Sequence, residues 1–204
     1  MRIRSALLAA SLPITLAACA TMGSPSPVDV TRFVEPSATA RLGTGTAFVE
    51  AAPGSPEDGL AMSPYISAVA SQLNRIGYRE TARGTADQVV QVRIQRSQID
   101  AQGRRSPVSV GVGGSTGSYG SGLGLGLGIN LGGGGGGPRI ATQLGVMIRD
   151  RATNEVLWEG RADFDAPAAS RYATPAGSAQ VLADAVFQNF PGNNGETVSV
   201  EVPE

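Results

Sequence analysis

The residues best placed for catalysis are two carboxylates close together in the chain. Asp163 and Asp165 lie in the segment ADFDA, and a strand there would point both side chains to the same face. A carboxylate pair at such a separation can hydrolyse glycosides. This leaves open a carboxylate-dependent hydrolase acting on cell-wall glycan. We favour the competing interpretation, a solvated strand face on which Phe164 packs inward.

Most other catalytic chemistry lacks its usual side chains in this sequence. There is no His, and all 16 basic residues are Arg, so Lys is missing too. The commonest general base, the Schiff-base amine and the commonest metal ligand are therefore absent. We expect a protein that is not an enzyme, with no cofactor and no metal site.

Several single residues are predicted to be structural. Glu80, Asp100 and Asp150 are isolated carboxylates that we assign to turns or to the surface. Trp158 is the only Trp, and we expect it to be a core or edge aromatic residue rather than a platform for a sugar.

A short Gly-rich segment matches a serine-hydrolase motif but lacks the context that the motif needs. Residues 113–117, GGSTG, fit the G-x-S-x-G pattern, which needs a preceding strand, a following helix and a His partner. The chain has no His, and dense Gly prevents a helix from following. A phosphate-binding P-loop is excluded because it requires Lys.

The single Cys follows a stretch that has the pattern of an export signal. Positive charge at Arg2 and Arg4 precedes an apolar run that is too short for a membrane-spanning helix and contains Pro13. The run ends in residues 16–19, LAAC, which resemble the lipobox of bacterial lipoproteins. We therefore predict a signal peptide over residues 1–18 and lipidation of Cys19. The alternative is a free thiol or an intermolecular disulfide.

The lipobox resemblance implies an address for the mature protein. In such lipoproteins the Cys carries three acyl chains, and more than one chain makes anchoring stable. Ala20 stands where Asp would signal retention in the inner membrane. The resemblance thus implies the outer membrane of a Gram-negative bacterium, with the lipid-anchored domain facing the periplasm. Lipidated Cys19 would leave no thiol nucleophile.

The charge balance argues against nucleic acid as a partner. Cleavage after residue 18 removes Arg2 and Arg4, so 14 Arg remain against 17 Asp and Glu, a net charge of −3. Nucleic-acid binding generally uses a basic patch. The expected partners are the membrane, through the lipid on Cys19, and an envelope protein or lipid.

The hydrophobic pattern predicts one α+β domain over residues 29–191. We expect a mostly antiparallel sheet with two helices packed on it. Ser63-Pro64 and Thr174-Pro175 are predicted helix starts, each a cap followed by Pro. The predicted strands are 29–33, 44–50, 87–99, and a hairpin of 140–149 and 155–164.

Two ends flank this domain. Residues 19–28 are predicted to be the lipidated N-terminus and a tether, because they are small, polar and contain Pro. Residues 192–204 are a C-terminal tail. Within it, residues 197–202 are either a short final strand or part of a loose end.

A Gly-rich insert spans residues 103–137. Valines alternate from Val108 to Val112, and Leu or Ile alternate from Leu123 to Leu131, which predicts a projecting hairpin with one apolar face. The simpler interpretation is a flexible, partly disordered extension. The alternative is a bare sheet face, to which another chain's backbone or a lipid can approach closely because Gly has no side chain.

The order and spacing of these pieces resemble bacterial lipoproteins that carry the domain of unknown function 4136. The matching segments are 46–49, 73–78, 86–92, the Gly-rich insert, 145–150, 157–162 and the closing helix through Pro191. This family has no established activity or catalytic residues. The resemblance therefore implies only a fold and a cellular location. We predict a non-enzymatic envelope lipoprotein.

Overall fold

Two helices cover one face of a mixed sheet in the computed structural model, which describes residues 23–55, 59–108 and 137–203. Cys19, the predicted signal peptide, residues 113–117 and most of the Gly-rich insert lie outside these ranges. The helices are α1 (Gly59–Arg75) and α2 (Pro175–Phe187). The strands are β1 (Val28–Val34), β2 (Thr46–Ala51), β3 (Arg79–Glu80), β4 (Gln88–Ile99), β5 (Arg105–Pro107), β6 (Arg139–Asp150), β7 (Val156–Pro167) and β8 (Glu196–Val200).

The sheet has the strand order β3-β2-β4-β6-β7-β1-β8, and β5 pairs with the far end of β4. β2 runs parallel to β3 and β4, whereas the other pairs are antiparallel. The long strands β4, β6 and β7 form the centre, where Ile94, Leu144 and Ala162 are register partners. The predicted α+β class with a mostly antiparallel sheet is confirmed. The predicted Gly-rich hairpin falls on residues outside the described ranges.

Alternation along the strands separates the two faces of the sheet. In β4, Val90, Val92 and Ile94 are fully buried beneath the helices, whereas Arg93 and Gln95 are exposed on the other face. This confirms the predicted strand with one wet face. We call the face opposite the helices the open face.

The second helix begins where the sequence predicts. The Thr174 hydroxyl accepts a hydrogen bond from the Gly177 N–H at 3.1 Å, and Pro175 occupies the first turn. Both features stabilise a helix start, because the first N–H groups have no partner within the helix.

The first helix begins earlier than predicted. It starts at Gly59, and Pro64, predicted as its first residue, lies inside it. Because Pro has no N–H, the carbonyl of Leu60, four residues earlier, lacks its helical hydrogen bond. Leu60 lies in the exposed first turn. Met62 and Tyr65 are both about 1% exposed, so burial of this turn offsets the cost of the Pro.

Both ends of the described chain belong to the sheet. Residues 196–200 form β8 and pair with β1, so the final strand is the alternative that the structure adopts. At the other end, the Ser26 N–H donates to the Asp165 carbonyl at 2.8 Å, just before β1. Part of the stretch predicted as a tether is thus already bonded to the domain.

Candidate functional site

The N-terminal segment and the end of the Gly-rich insert meet at one place, which we call the N-terminal junction: Ser24, Ser26, Arg139 and Asp165. Arg139 follows the insert by two residues and donates from Nη2 to the Ser24 carbonyl at 3.1 Å. Its guanidinium also forms an ion pair with the Asp165 carboxylate. The Asp165 N–H donates to the Ser26 hydroxyl at 2.9 Å.

The junction is positioned by strand pairing. Arg139 begins β6 and is the register partner of both Ile99 in β4 and Pro167 in β7. The Ala168 N–H donates to the Pro138 carbonyl at 2.9 Å, which fixes the chain where it leaves the insert. Ser24, near the first described residue, and Arg139, just after the insert, therefore meet at the same end of the sheet.

The two carboxylates singled out from the sequence have different environments. Both lie on the open face, as the alternation of β7 requires, and Phe164 is 5% exposed on the helix side. The predicted solvated face is wrong at Asp165, which is 3% exposed and paired with Arg139 because the N-terminal segment covers it, so it is a structural residue of the junction. Asp163 is half-buried, and its carboxylate accepts a 2.6 Å hydrogen bond from Gln143.

The structure brings Asp163 next to a carboxylate that the sequence analysis missed. Asp29 of β1 is its direct register partner. Burial raises the pKa of Asp163, and the negative charge of Asp29 adds to this effect, whereas Gln143 and Arg161 oppose it. Asp29 itself accepts a 2.6 Å hydrogen bond from the Ser199 hydroxyl. No sequence pattern links Asp29 to Asp163, because the strand pairing alone brings them together.

The residues predicted to be structural are found in such positions. The Asp150 carboxylate accepts from the Ala152 and Thr153 N–H groups at 2.9 and 3.0 Å and holds the turn between β6 and β7. These bonds, the one from Thr153 first, lower the pKa of Asp150. Asp100 holds the turn after β4 through the Gln102 and Arg104 N–H groups, both at 2.9 Å.

Trp158 is a core residue, as predicted. It is fully buried, stacks on Phe187 at 5.5 Å between ring centroids, and contacts Phe190 at 5.1 Å. Its indole N–H donates to the Pro191 carbonyl at 2.9 Å. A fully buried indole has no face available to a sugar. Glu80 is exposed in β3, consistent with a surface residue.

A second surface was not expected from the sequence. A cavity of about 280 Å³, which we call the edge groove, lies between the helices and the last strand. Its apolar lining includes Val28, Val181, Phe187 and Val200. Its polar lining is Gln72, Asp184, Gln188 and Glu201. These residues come from α1, α2, β1, β8 and the chain end, so no local sequence signal could have grouped them.

The described ranges hold no cluster of three or more His, Cys, Asp or Glu side chains that could bind a metal ion. Within the same ranges, neither helix is long and apolar enough to cross a membrane.

The chain has recognisable relatives among known proteins. The family model called Domain of unknown function (DUF4136) matches residues 39–192. An uncharacterized protein of Zymomonas mobilis is 36% identical over 63 residues, which cover 31% of this chain and 24% of that protein. The chain thus spans about a quarter of the length of this curated relative.

Two solved structures are similar to this chain at low sequence identity. A PDZ domain protein from Parabacteroides distasonis is 12% identical with a TM-score of 0.51, over 87% of this chain and 39% of that one. A PelC dodecamer from Paraburkholderia phytofirmans is 14% identical with a TM-score of 0.44, over 78% and 94%. Because the family model covers most of the sequence, this chain belongs to the family named Domain of unknown function (DUF4136).

Proposed function

We propose that this chain is a non-enzymatic lipoprotein of the bacterial envelope, attached to the outer membrane through lipid on Cys19 and facing the periplasm. The observation that carries the proposal is the N-terminal junction. Ser24 is five residues after Cys19, so at most about 18 Å of extended chain separates the lipidated residue from the sheet. A connection this short would hold the Arg139 end of the domain near the bilayer.

Labelling and fractionation test the anchor. Cells expressing the intact chain or a Cys19→Ala variant are fed an alkyne fatty acid, and their envelopes are separated on a density gradient. We expect label on the intact chain in the outer-membrane fraction, and an unlabelled variant that is depleted from that fraction. An unlabelled intact chain, or a variant that reaches the outer-membrane fraction equally well, would contradict the proposal.

The proposed partner is an envelope protein or lipid, recruited through the Gly-rich insert. Its support is the alternating Val and Leu pattern in the sequence together with the bonding of Arg139 and Pro138 beside the N-terminal segment. This arrangement would place the insert where the anchored domain meets its surroundings. Partner binding through the insert accounts for a long Gly-rich stretch without catalytic residues.

A loop replacement tests the insert without disturbing the sheet. β5 and β6 flank β4 on opposite sides, so the insert ends are about two strand spacings, roughly 10 Å, apart. A linker of about six Gly and Ser residues can span this distance in place of residues 109–136. We expect crosslinked envelope partners to be lost from pull-downs. Unchanged recovery with an unchanged melting temperature would contradict a role for the insert.

The alternative function is a carboxylate-dependent hydrolase acting on cell-wall glycan. One observation favours it, the half-buried Asp163 opposite Asp29 with its pKa raised by burial. Against it, the Asp165 carboxylate forms an ion pair with Arg139 and is therefore unsuited as the second catalytic carboxylate. The test is to incubate purified peptidoglycan with each protein. Release of glycan fragments by the intact chain but not by an Asp163→Asn variant would establish this activity. Equal, background-level release by both proteins would exclude it.

A further inference from the structure

We propose that β8 and the edge groove bind an extended segment of a partner protein, which adds a strand to the sheet and carries basic residues beside aliphatic ones. This surface is separate from the junction and from the Gly-rich insert. It goes beyond the proposed function, because that function recruits its partner through the Gly-rich insert and assigns no role to β8 or the edge groove.

Strand β8 is an edge with an incomplete apolar row. In the described parts of the chain, β8 pairs with β1 only. Val28 of β1 is fully buried, whereas its register partner Val200 is only partly buried and lines the groove. A further strand would lie about 4.8 Å beyond β8, so its inward side chains would extend the row from Val200 beneath α2.

Among the described residues, β8 has few of the features that block pairing at a sheet edge. Its sequence ETVSV contains neither Pro nor a basic residue, and its one charged side chain, Glu196, is its first residue and forms an ion pair with Arg32 of β1. The opposite end of the sheet is better covered. There β3 pairs with β2 at Thr46 and Ala47, and Glu50 of β2 forms an ion pair with Arg83 at 2.8 Å.

The charge of the groove selects the partner. Asp184 and Glu201 line it, and none of the described lining residues is basic. Arg75, at 3.5 Å from Asp184, is a nearby cation but does not line the groove. Two carboxylates around an apolar floor complement a strand in which Arg or Lys flanks Val or Ile.

The same charges disfavour a second copy of this chain as the occupant. Its β8 would be the equivalent edge, and that strand is bounded by Glu196 and Glu201. Pairing two such edges would bring these acidic residues close to the carboxylates of the groove, where like charges repel. A basic extended segment has no such conflict.

Peptide binding to the detergent-purified full chain tests the proposal. The probes are fluorescein-labelled peptides with the sequences RVTVRV and EVTVEV, followed by fluorescence anisotropy. We expect the basic peptide to bind about tenfold more tightly than the acidic one at low salt. We also expect it to slow amide hydrogen exchange in residues 197–200.

Matched variants separate the groove from general charge effects. The double variant Asp184→Asn, Glu201→Gln should reduce the preference for the basic peptide to below about threefold, whereas the remote control Glu80→Gln, Asp100→Asn should preserve it. Asn at 184 can still accept the hydrogen bonds that Gln72 and Gln180 donate to Asp184.

Three results would overturn the proposal. These are equal binding of the two peptides, protection confined to residues outside β8 and the edge groove, or a concentration-dependent dimer in sedimentation that the basic peptide does not dissociate. The binding assay does not depend on the lipid. A negative peptide-binding result therefore does not affect the conclusion about the lipid anchor. Likewise, an unlabelled Cys19 would not affect the conclusion about peptide binding.

Discussion

Arg32 of β1 donates from Nη2 to the main-chain oxygen of Ala185, 3.1 Å away at the carboxyl end of α2. Its Nε donates to the Val186 oxygen, also at 3.1 Å, and Glu196 lies 3.7 Å from Nη1. The last carbonyls of a helix lack the N–H of a following turn, and here the Ala185 oxygen also accepts from the Gln188 N–H at 3.2 Å. Arg32, only 2% exposed, therefore caps α2 from inside the core and connects the sheet to the helix layer.

Replacing Arg32 by Met should destabilise the protein, because the Ala185 and Val186 oxygens would lose their charged donor in a buried place. We expect the free energy of unfolding to fall by about 2–3 kcal/mol. Urea unfolding monitored by circular dichroism measures this. An Arg161→Met variant is the control, since Arg161 is an exposed Arg paired with Glu159, and it should cost less than about 1 kcal/mol. Equal costs for both variants would refute the capping role.

Adding a methyl group at Gly160 should disturb the aromatic core. A Cβ there would lie 2.7 Å from Val186 Cγ2 and would overlap the indole of Trp158. We expect Gly160→Ala to lower the free energy of unfolding by about 1–3 kcal/mol, with a red shift in Trp fluorescence. Gly145→Ala is the matched control. Its Cβ would meet Arg93 at 3.8 Å on the open face, so a similar loss there would contradict the packing argument.

Asp163 should make the protein less stable as pH rises. Burial raises its pKa in the folded state above the ordinary value of about 3.9, so folding favours the protonated carboxyl. The associated stability is present below the unfolded pKa and is lost as pH rises through the folded pKa. An Asp163→Asn variant should therefore gain stability relative to the intact chain as pH rises above about 3.9, the ordinary value for Asp.

Asp150 should show the opposite dependence of stability on pH. Hydrogen bonds from the turn lower its pKa, so its contribution is present above the ordinary value and is lost as pH falls through the folded pKa. An Asp150→Asn variant should lose stability at neutral pH and show a weaker acid dependence. Urea titrations at several pH values measure both variants. Parallel curves for the two would contradict these assignments.

Breaking the junction should loosen the N-terminal segment selectively. An Arg139→Gln variant loses the ion pair with Asp165 and its guanidinium donor to the Ser24 carbonyl, whereas the pairing of β1 with β7 remains. We expect at least about tenfold faster amide exchange at Ser26 with little change in β4. Faster exchange throughout the sheet would show a global effect. An Arg105→Gln variant is the control, because Arg105 is exposed near the same end of the sheet.

Local patterns were sufficient for several elements. Thr174 followed by Pro175 defines the start of α2, because a side-chain acceptor and a fixed φ angle act within one turn. The alternation from Val90 to Ile94 defines β4 and its buried face. These predictions succeeded because the interactions that decide them are close in sequence. At α1 the same cap-and-Pro pattern was wrong, since burial of Met62 outweighed the local cost of Pro64.

The candidate sites depend on contacts that are distant in sequence. The sequence by itself determined the Cys19 prediction, the missing His and Lys, and the strand that carries Asp163. Only the tertiary structure placed Asp29 opposite Asp163, because β1 pairs with β7 and not with a sequence neighbour. Alternation in β1 also turns Arg32 inward and leaves Phe33 44% exposed, contrary to their polarity. A buried guanidinium is tolerated there because the end of α2 supplies acceptors, and only the assembled fold brings them within reach.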